Sequence, residues 1–205
     1  MNLFIDIETI PGGEMPPLES IKVPANYKDP AKIKAYQAEN QEDEYRKQAL
    51  DSMKGRIICI GCAVDDSPID ITTGSEELIM LDFQNYISSF QGPYGEPLHF
   101  IGWNISTFDI PWLWRKAIQY DLPALRRAIP KDNRNMTVDL MRVWASDYRD
   151  YVSLANCAKF LGIPHDGGDG SEIYNLWKAN DMNAIAEHCK RDIETVKKIY
   201  QRIYE

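Results

Sequence analysis

Leu3-Phe4-Ile5-Asp6-Ile7-Glu8-Thr9 constrains this chain more than any other stretch. Leu3, Ile5 and Ile7 alternate with Phe4, Asp6 and Glu8, the two-residue period of a β-strand. Asp6 and Glu8 therefore point the same way, their Cβ atoms roughly 7 Å apart, twice the rise per residue. Two carboxylates on the first strand of an α/β sheet repel each other and disfavour burial. A divalent cation reverses that, because Mg²⁺ and Mn²⁺ take hard oxygen ligands. An exposed edge strand with a solvated acidic face is the plainer alternative.

The 205 residues suffice for one domain with a sizeable core. No apolar run reaches transmembrane length, and Asp6 interrupts Leu3-Phe4-Ile5 too early for a signal peptide. Four cysteines suit a reducing compartment, so a cytoplasmic protein without membrane association is expected. Cys59 and Cys62 form C-x-x-C inside the apolar run Ile57–Val64. Residues three apart on a strand face opposite sides, so the pair reads as buried thiols and not as a zinc site. The net charge of −8 argues against broad electrostatic binding of nucleic acid. Between Arg115 and Arg149, however, eight basic residues outnumber four acidic ones, for which a solvated face is the simplest account.

Ile10-Pro11-Gly12-Gly13 stops the first strand, and Pro16, Pro17, Pro24 and Pro30 punctuate a polar stretch. Asp29-Pro30 predicts a helix start, with the helix running from about Ala31 to Asp51 over the surface. Residues 11–54 thus read as a loop-helix insertion within a single domain spanning 1–205. Arg56–Asp65 and Ile69–Thr73 predict a hairpin, and Ser75-Glu76-Glu77 opens a helix to about Phe90. That helix has Leu78, Leu81, Phe83, Tyr86 and Ile87 on its expected apolar side, and Gly92-Pro93-Tyr94-Gly95 closes it. Short strands at Leu98–Ile101 and Thr137–Leu140 alternate with helices. A helix near Leu154–Leu161, a Gly-rich turn at His165–Gly170, a short helix near Glu172–Ala179 and a long helix from Asp181 follow. The expected fold is α/β: a mixed five- or six-stranded sheet flanked by helices.

Two further carboxylates stand out. Asp109 follows the fourth strand, where Ser106-Thr107-Phe108-Asp109 reads first as a capping box and second as a ligand position. Asp192 sits seven residues from both Ile185 and Ile199, inside the core stripe Met182, Ile185, Cys189, Val196, Ile199, Ile203 of the last helix. A charge there is costly unless paired or bound to metal. His188 is one turn earlier on the same face. Asp139 reads as a strand terminator, and Asp166–Asp169 lacks the spacing of a calcium-binding loop.

Taken together, Asp6-Ile7-Glu8-Thr9, the run Gly102-Trp103-Asn104-Ile105-Ser106-Thr107-Phe108-Asp109-Ile110-Pro111 and His188-Cys189-Lys190-Arg191-Asp192 resemble the three motifs of the DEDD 3′–5′ exonuclease superfamily. The likeness is greatest to predicted exonucleases related to the proofreading domain of family B DNA polymerases, and it includes Leu161-Gly162-Ile163-Pro164. It implies an RNase H-like fold and hydrolysis of phosphodiester bonds from a 3′ end, releasing 5′-mononucleotides. It implies two divalent cations, Mg²⁺ or Mn²⁺: Asp6 would bridge them, Glu8 and Asp192 would complete one site, and Asp109 would hold the other. Thr9, Ile10, Trp103, Asn104 and Phe108 are the implied contacts to terminal nucleotides. Single-stranded DNA is the favoured substrate, with RNA the alternative, and a polymerase or repair protein is a partner in trans for any proofreading role. The polymerase-like branch carries tyrosine where this chain has His188, whose implied task is to orient the attacking water or to remove its proton. A binding module without catalysis, and an α/β protein with structural acid pairs, are the competing readings.

Overall fold

The computed structural model describes residues 1–90, 97–131, 134–145, 150–165 and 170–205. Five strands form one mixed sheet: β1 (Asn2–Pro11), β2 (Gly55–Val64), β3 (Asp70–Thr73), β4 (His99–Gly102) and β5 (Thr137–Asp139), in the order β3-β2-β1-β4-β5. β1 pairs antiparallel with β2 and parallel with β4, while β2–β3 is antiparallel and β4–β5 parallel.

The helices are α1 (Pro30–Arg46), α2 (Glu76–Phe90), α3 (Asp109–Gln119), α4 (Pro123–Ala128), α5 (Leu140–Trp144), α6 (Leu154–Leu161), α7 (Ile173–Lys178) and α8 (Met182–Tyr204). Strand alternation divides the core in two. Leu3, Ile5 and Ile7 pack with Ile79, Met80, Phe83 and Ile87 of α2 and with Trp112 and Leu113 of α3. Phe4 and Ile10 turn the other way, onto Leu140, Cys157, Ile173, Ile185, Cys189 and Ile193. Each such side chain contributes about 1.5–3 kcal/mol on burial. Cys59 and Cys62 fall in opposite clusters, as their spacing requires.

Two features of β1 make room for a site. Its parallel pairing with β4 ends at Phe4–Ile101, so the two strands separate beyond that point. Its register against β2 shifts between Glu8 and Thr9, where Ile58 is skipped. The shift is held by buried charge: Glu76 accepts from the Ile57 N–H at 2.6 Å and from Lys116 Nζ at 3.1 Å. Lys116 thus leaves the expected solvated basic face to pair in the interior.

α1 has no buried residue and begins with the Asp29 cap, as expected for a surface helix. The inward face of α2 differs from the expected one. Leu78 and Leu81 are exposed, and Ile79 and Met80 take their place, because the stripe that reaches the sheet is Ile79–Phe83–Ile87. Gly92–Gly95 and the centre of the His165–Gly170 turn lie outside the described residues. Among the described residues no helix is long and apolar enough to cross a membrane.

Candidate active site

The separation of β1 from β4 opens a cleft of about 480 Å³ beyond the carboxyl ends of the parallel strands, where open α/β sheets bind ligands. Asp6, Glu8, Thr9, Trp103, Asn104, Phe108, Asp109, His188 and Asp192 all line it. Ile10 does not. It follows Asp6 and Glu8 on the same strand face but is fully buried in the cluster that contains Ile173 of α7, so the expected nucleotide contact is a core residue.

Asp6 and Glu8 offer carboxylate oxygens that lie within 4.8 Å of each other and of Cys189 Sγ. The cysteine makes a poor ligand. Its Sγ donates to the Asp6 carbonyl at 3.6 Å, and a hydrogen bond with Cys59 together with burial holds the thiol well above its usual range. Cys189 comes this close because β2 carries Gly61 opposite Asp6. A Cβ at Gly61 would lie 2.7 Å from Cys189 Sγ and 2.5 Å from Ile193 Cδ1. The glycine therefore sets how near α8 approaches the sheet.

Asp109 is not part of a capping box. Phe108 is the residue before the helix and offers no side-chain cap, so Asp109 is the first helical residue. Its Oδ1 accepts from the Ile7 N–H at 3.1 Å, taking the backbone donor that β4 no longer reaches. On α8, Asp192 lies on the core stripe but opens into the cleft, with 20% of its side chain exposed. His188, one turn away, places its Nδ1 2.7 Å from Glu8 Oε1.

Burial is the main cause that raises the pKa of each carboxylate. Asp6 is held well above its usual range by desolvation, then by Glu8, Asp192 and Asp109. Burial lifts Glu8, and the His188 bond partly offsets it. Asp109 is pushed up to about 7 by burial, against hydrogen bonds from its own and the Ile7 backbone. Asp192 is raised by burial, with His188, His165 and Arg191 opposing.

The side chains expected to contact nucleotides are braced from behind. Thr9 Oγ1 donates to the Ala49 carbonyl at 2.7 Å, which brings Ala49 and the exposed Leu50 of the β1–β2 segment to the cleft rim. Trp103 Nε1 donates to the Val152 carbonyl at 3.1 Å. Phe108 packs against Trp112, ring centroids 5.7 Å apart. Asn104 adopts a left-handed conformation (φ 61°) and its side chain accepts from Thr107.

Two residues escaped the sequence reading. Asp139 does more than end β5: its two oxygens accept from the Asn104 and Ser106 N–H groups at 3.1 and 3.0 Å, and it caps α5. An aspartate just before a helical run was the available signal. His165, after α6, lines the cleft with its Nε2 3.9 Å from Asp192 Oδ1. Nothing in its local sequence marks it.

Comparison with known proteins agrees with this geometry. A DNA polymerase of Archaeoglobus fulgidus is 28% identical over 155 residues, covering 68% of this chain and 19% of that protein. The chain thus spans about a fifth of the polymerase's length. An uncharacterized protein of Methanocaldococcus jannaschii is 28% identical over 162 residues, covering 74% of this chain and 88% of that protein. The solved structure of the family B DNA polymerase from Pyrobaculum calidifontis superposes with a TM-score of 0.66 at 12% identity, over 98% of this chain and 24% of that one. The family model of the RNase H superfamily matches residues 47–204, and with the mixed five-stranded sheet it shows that this chain belongs to that superfamily.

Proposed function

We propose that this protein is a divalent-cation-dependent 3′–5′ exonuclease that releases 5′-mononucleotides from single-stranded DNA. The observation that carries the reading is the convergence of four carboxylates from three elements, Asp6 and Glu8 of β1, Asp109 of α3 and Asp192 of α8, on one cleft with aromatic walls.

Cations suit this donor set. All four groups offer hard oxygen, each is raised in pKa chiefly by burial, and among the described residues Asp192 Oδ1 is enclosed with no hydrogen-bond partner. Two bound Mg²⁺ or Mn²⁺ ions would lower the pKa of an attacking water and stabilise the departing 3′ oxygen. The protein supplies the frame. Asp6 is near enough to the other three carboxylates for each to raise its pKa, Ile7 fixes Asp109, and Glu8 fixes the ring of His188 beside the cleft. The faces of Trp103 and Phe108 offer stacking surfaces for terminal bases, a mode that suits single strands. The likeness to the polymerases supports a polymerase or repair protein as a partner in trans.

The test is digestion of end-labelled DNA and RNA oligonucleotides with Mg²⁺, Mn²⁺ or EDTA, and of a circular single strand beside its linear form. Mononucleotide release from linear DNA is expected, with EDTA, Asp6→Asn and Asp192→Asn each abolishing it and the circle resisting. Cutting of the circle would assign an endonuclease, and undiminished cleavage by Asp6→Asn would overturn the site.

A further inference from the structure

His165 is built into the cleft without a place in the reading above. α6 ends at Gly162 in the left-handed conformation (φ 67°), and Ile163 is buried, which returns the chain towards α8. The His165 side chain is only 4% exposed, and its Nδ1 lies 3.0 Å from Thr195 Oγ1. The Thr195 hydroxyl donates its single proton to the Arg191 carbonyl at 2.8 Å, so towards the ring it can only accept. Nδ1 therefore carries a proton, so Nε2 is the nitrogen that a cation can reach in the neutral ring.

Nε2 faces Asp192 Oδ1 across 3.9 Å, and among the described residues that oxygen is enclosed with no hydrogen-bond partner. Positive charge suits the space between these two atoms, carried either by a proton on the ring or by a bound metal ion. The separation suits a shared ion: donors with bonds of about 2.1 Å to one cation lie about 3.0 Å apart at right angles and about 4.2 Å apart when opposed. The far side of the ring fits as well, since histidines that bind metal donate their other N–H to an oxygen, here Thr195 Oγ1.

We propose that His165 Nε2 is a nitrogen ligand of the cation held by Asp192, giving the site a mixed nitrogen–oxygen donor set that selects Mn²⁺ over Mg²⁺. Mg²⁺ takes oxygen almost exclusively, whereas an imidazole raises affinity for transition ions. The inference rests on the metal-dependent reading above and names a ligand beyond its four carboxylates.

The experiment titrates Mn²⁺ and Mg²⁺ into the metal-free protein by calorimetry and records pulsed electron paramagnetic resonance of the Mn²⁺ complex. Wild type should show nitrogen modulation from a directly bound imidazole. His165→Gln should lose that signal and bind Mn²⁺ about 10–100-fold more weakly, with Mg²⁺ affinity held within about threefold. His188→Gln, which removes the other imidazole of the cleft, should keep the signal. Thr195→Val leaves the ring in place but frees it, and should keep the signal while weakening Mn²⁺ binding; it carries the test if His165→Gln does not fold. Mn²⁺ binding with no nitrogen signal, or with a signal lost only in His188→Gln, overturns this inference alone. Failure of wild type to bind Mn²⁺ overturns it together with the nuclease reading.

Discussion

His188 Nδ1 lies 2.7 Å from Glu8 Oε1, joining residues 180 apart in sequence. The side chains are 6% and 8% exposed, so neither has water to replace the other. One ring nitrogen is thereby committed to a carboxylate, which fixes the direction of the imidazole. That arrangement favours an orienting role. His188→Tyr, the residue of the polymerase-like branch, should keep at least about a tenth of the wild-type rate, while His188→Ala should lose about 10²-fold or more. His188→Ala also removes the bond that lowers the Glu8 pKa, so the acid limb of its rate profile should move to higher pH. Profiles from about pH 5.5 to 9 with saturating Mn²⁺ decide the matter. A tyrosine variant as inactive as alanine would make His188 the base.

Asp109 predicts a pH effect on stability. Its folded pKa is about 7 against a reference of 3.8, because burial disfavours the anion. Between those values the native state holds the proton more tightly than the unfolded chain does. The contribution of Asp109 to the metal-free protein therefore falls as pH rises through that window. Asp109→Asn keeps the acceptor for the Ile7 N–H and removes the charge. It should melt above wild type at pH 8 by roughly 2–4 °C for each kcal/mol relieved, with the gap closing towards pH 4. Thermal melts in EDTA measure this, and a gap independent of pH would contradict it.

Asp139 should matter to substrate binding without touching the reaction. Asp139→Ala leaves the Asn104 and Ser106 N–H groups without their acceptors, at about 1–3 kcal/mol each for a buried donor. Asp139→Asn retains one oxygen and should cost less. Both should raise KM for the oligonucleotide more than they lower kcat, because Asn104 lines the cleft and supplies no carboxylate. Steady-state kinetics separate the two parameters. A pure kcat loss would place Asp139 in the chemistry.

Gly61 has no side chain, yet its replacement should damage the site. Gly61→Ala forces a methyl group against Ile193 and Cys189 and pushes α8 outward, for about 1–3 kcal/mol in stability. Activity should fall further than stability implies, since His188 and Asp192 move with the helix. Cys189→Ala on the same background removes the sulfur 2.7 Å from the new methyl group and should restore part of both. Melting temperature and cleavage rate, measured together, test the pairing.

The strand and its facing carboxylates were legible because a two-residue period needs no tertiary information; the same period put Cys59 and Cys62 on opposite sides. The cap at Asp29 and the span of α6 were legible from local chemistry. The resemblance placed Ile10 among the nucleotide contacts, but the position of α7, which no motif encodes, makes it core. Leu78 and Leu81 were misassigned because α2 is apolar on more than one side, and its docking angle chooses the stripe. Asp139 and His165 depend on partners 35 and 30 residues away, Asn104 and Thr195, and a single sequence carries no trace of such pairs.

The bond between Glu8 and His188 has a consequence for biosynthesis. A nascent chain that has emerged through α7 already carries Asp6, Glu8 and Asp109, but α8, with His188 and Asp192, is still to come. Until then Glu8 has no histidine against it, and the carboxylates repel one another without a lid of helix over them. Assembly of the centre is thus tied to docking of one late helix across a long loop, a slow step in folding because of its entropy. Before α8 docks, the cleft lacks two of the groups that line it, His188 and Asp192.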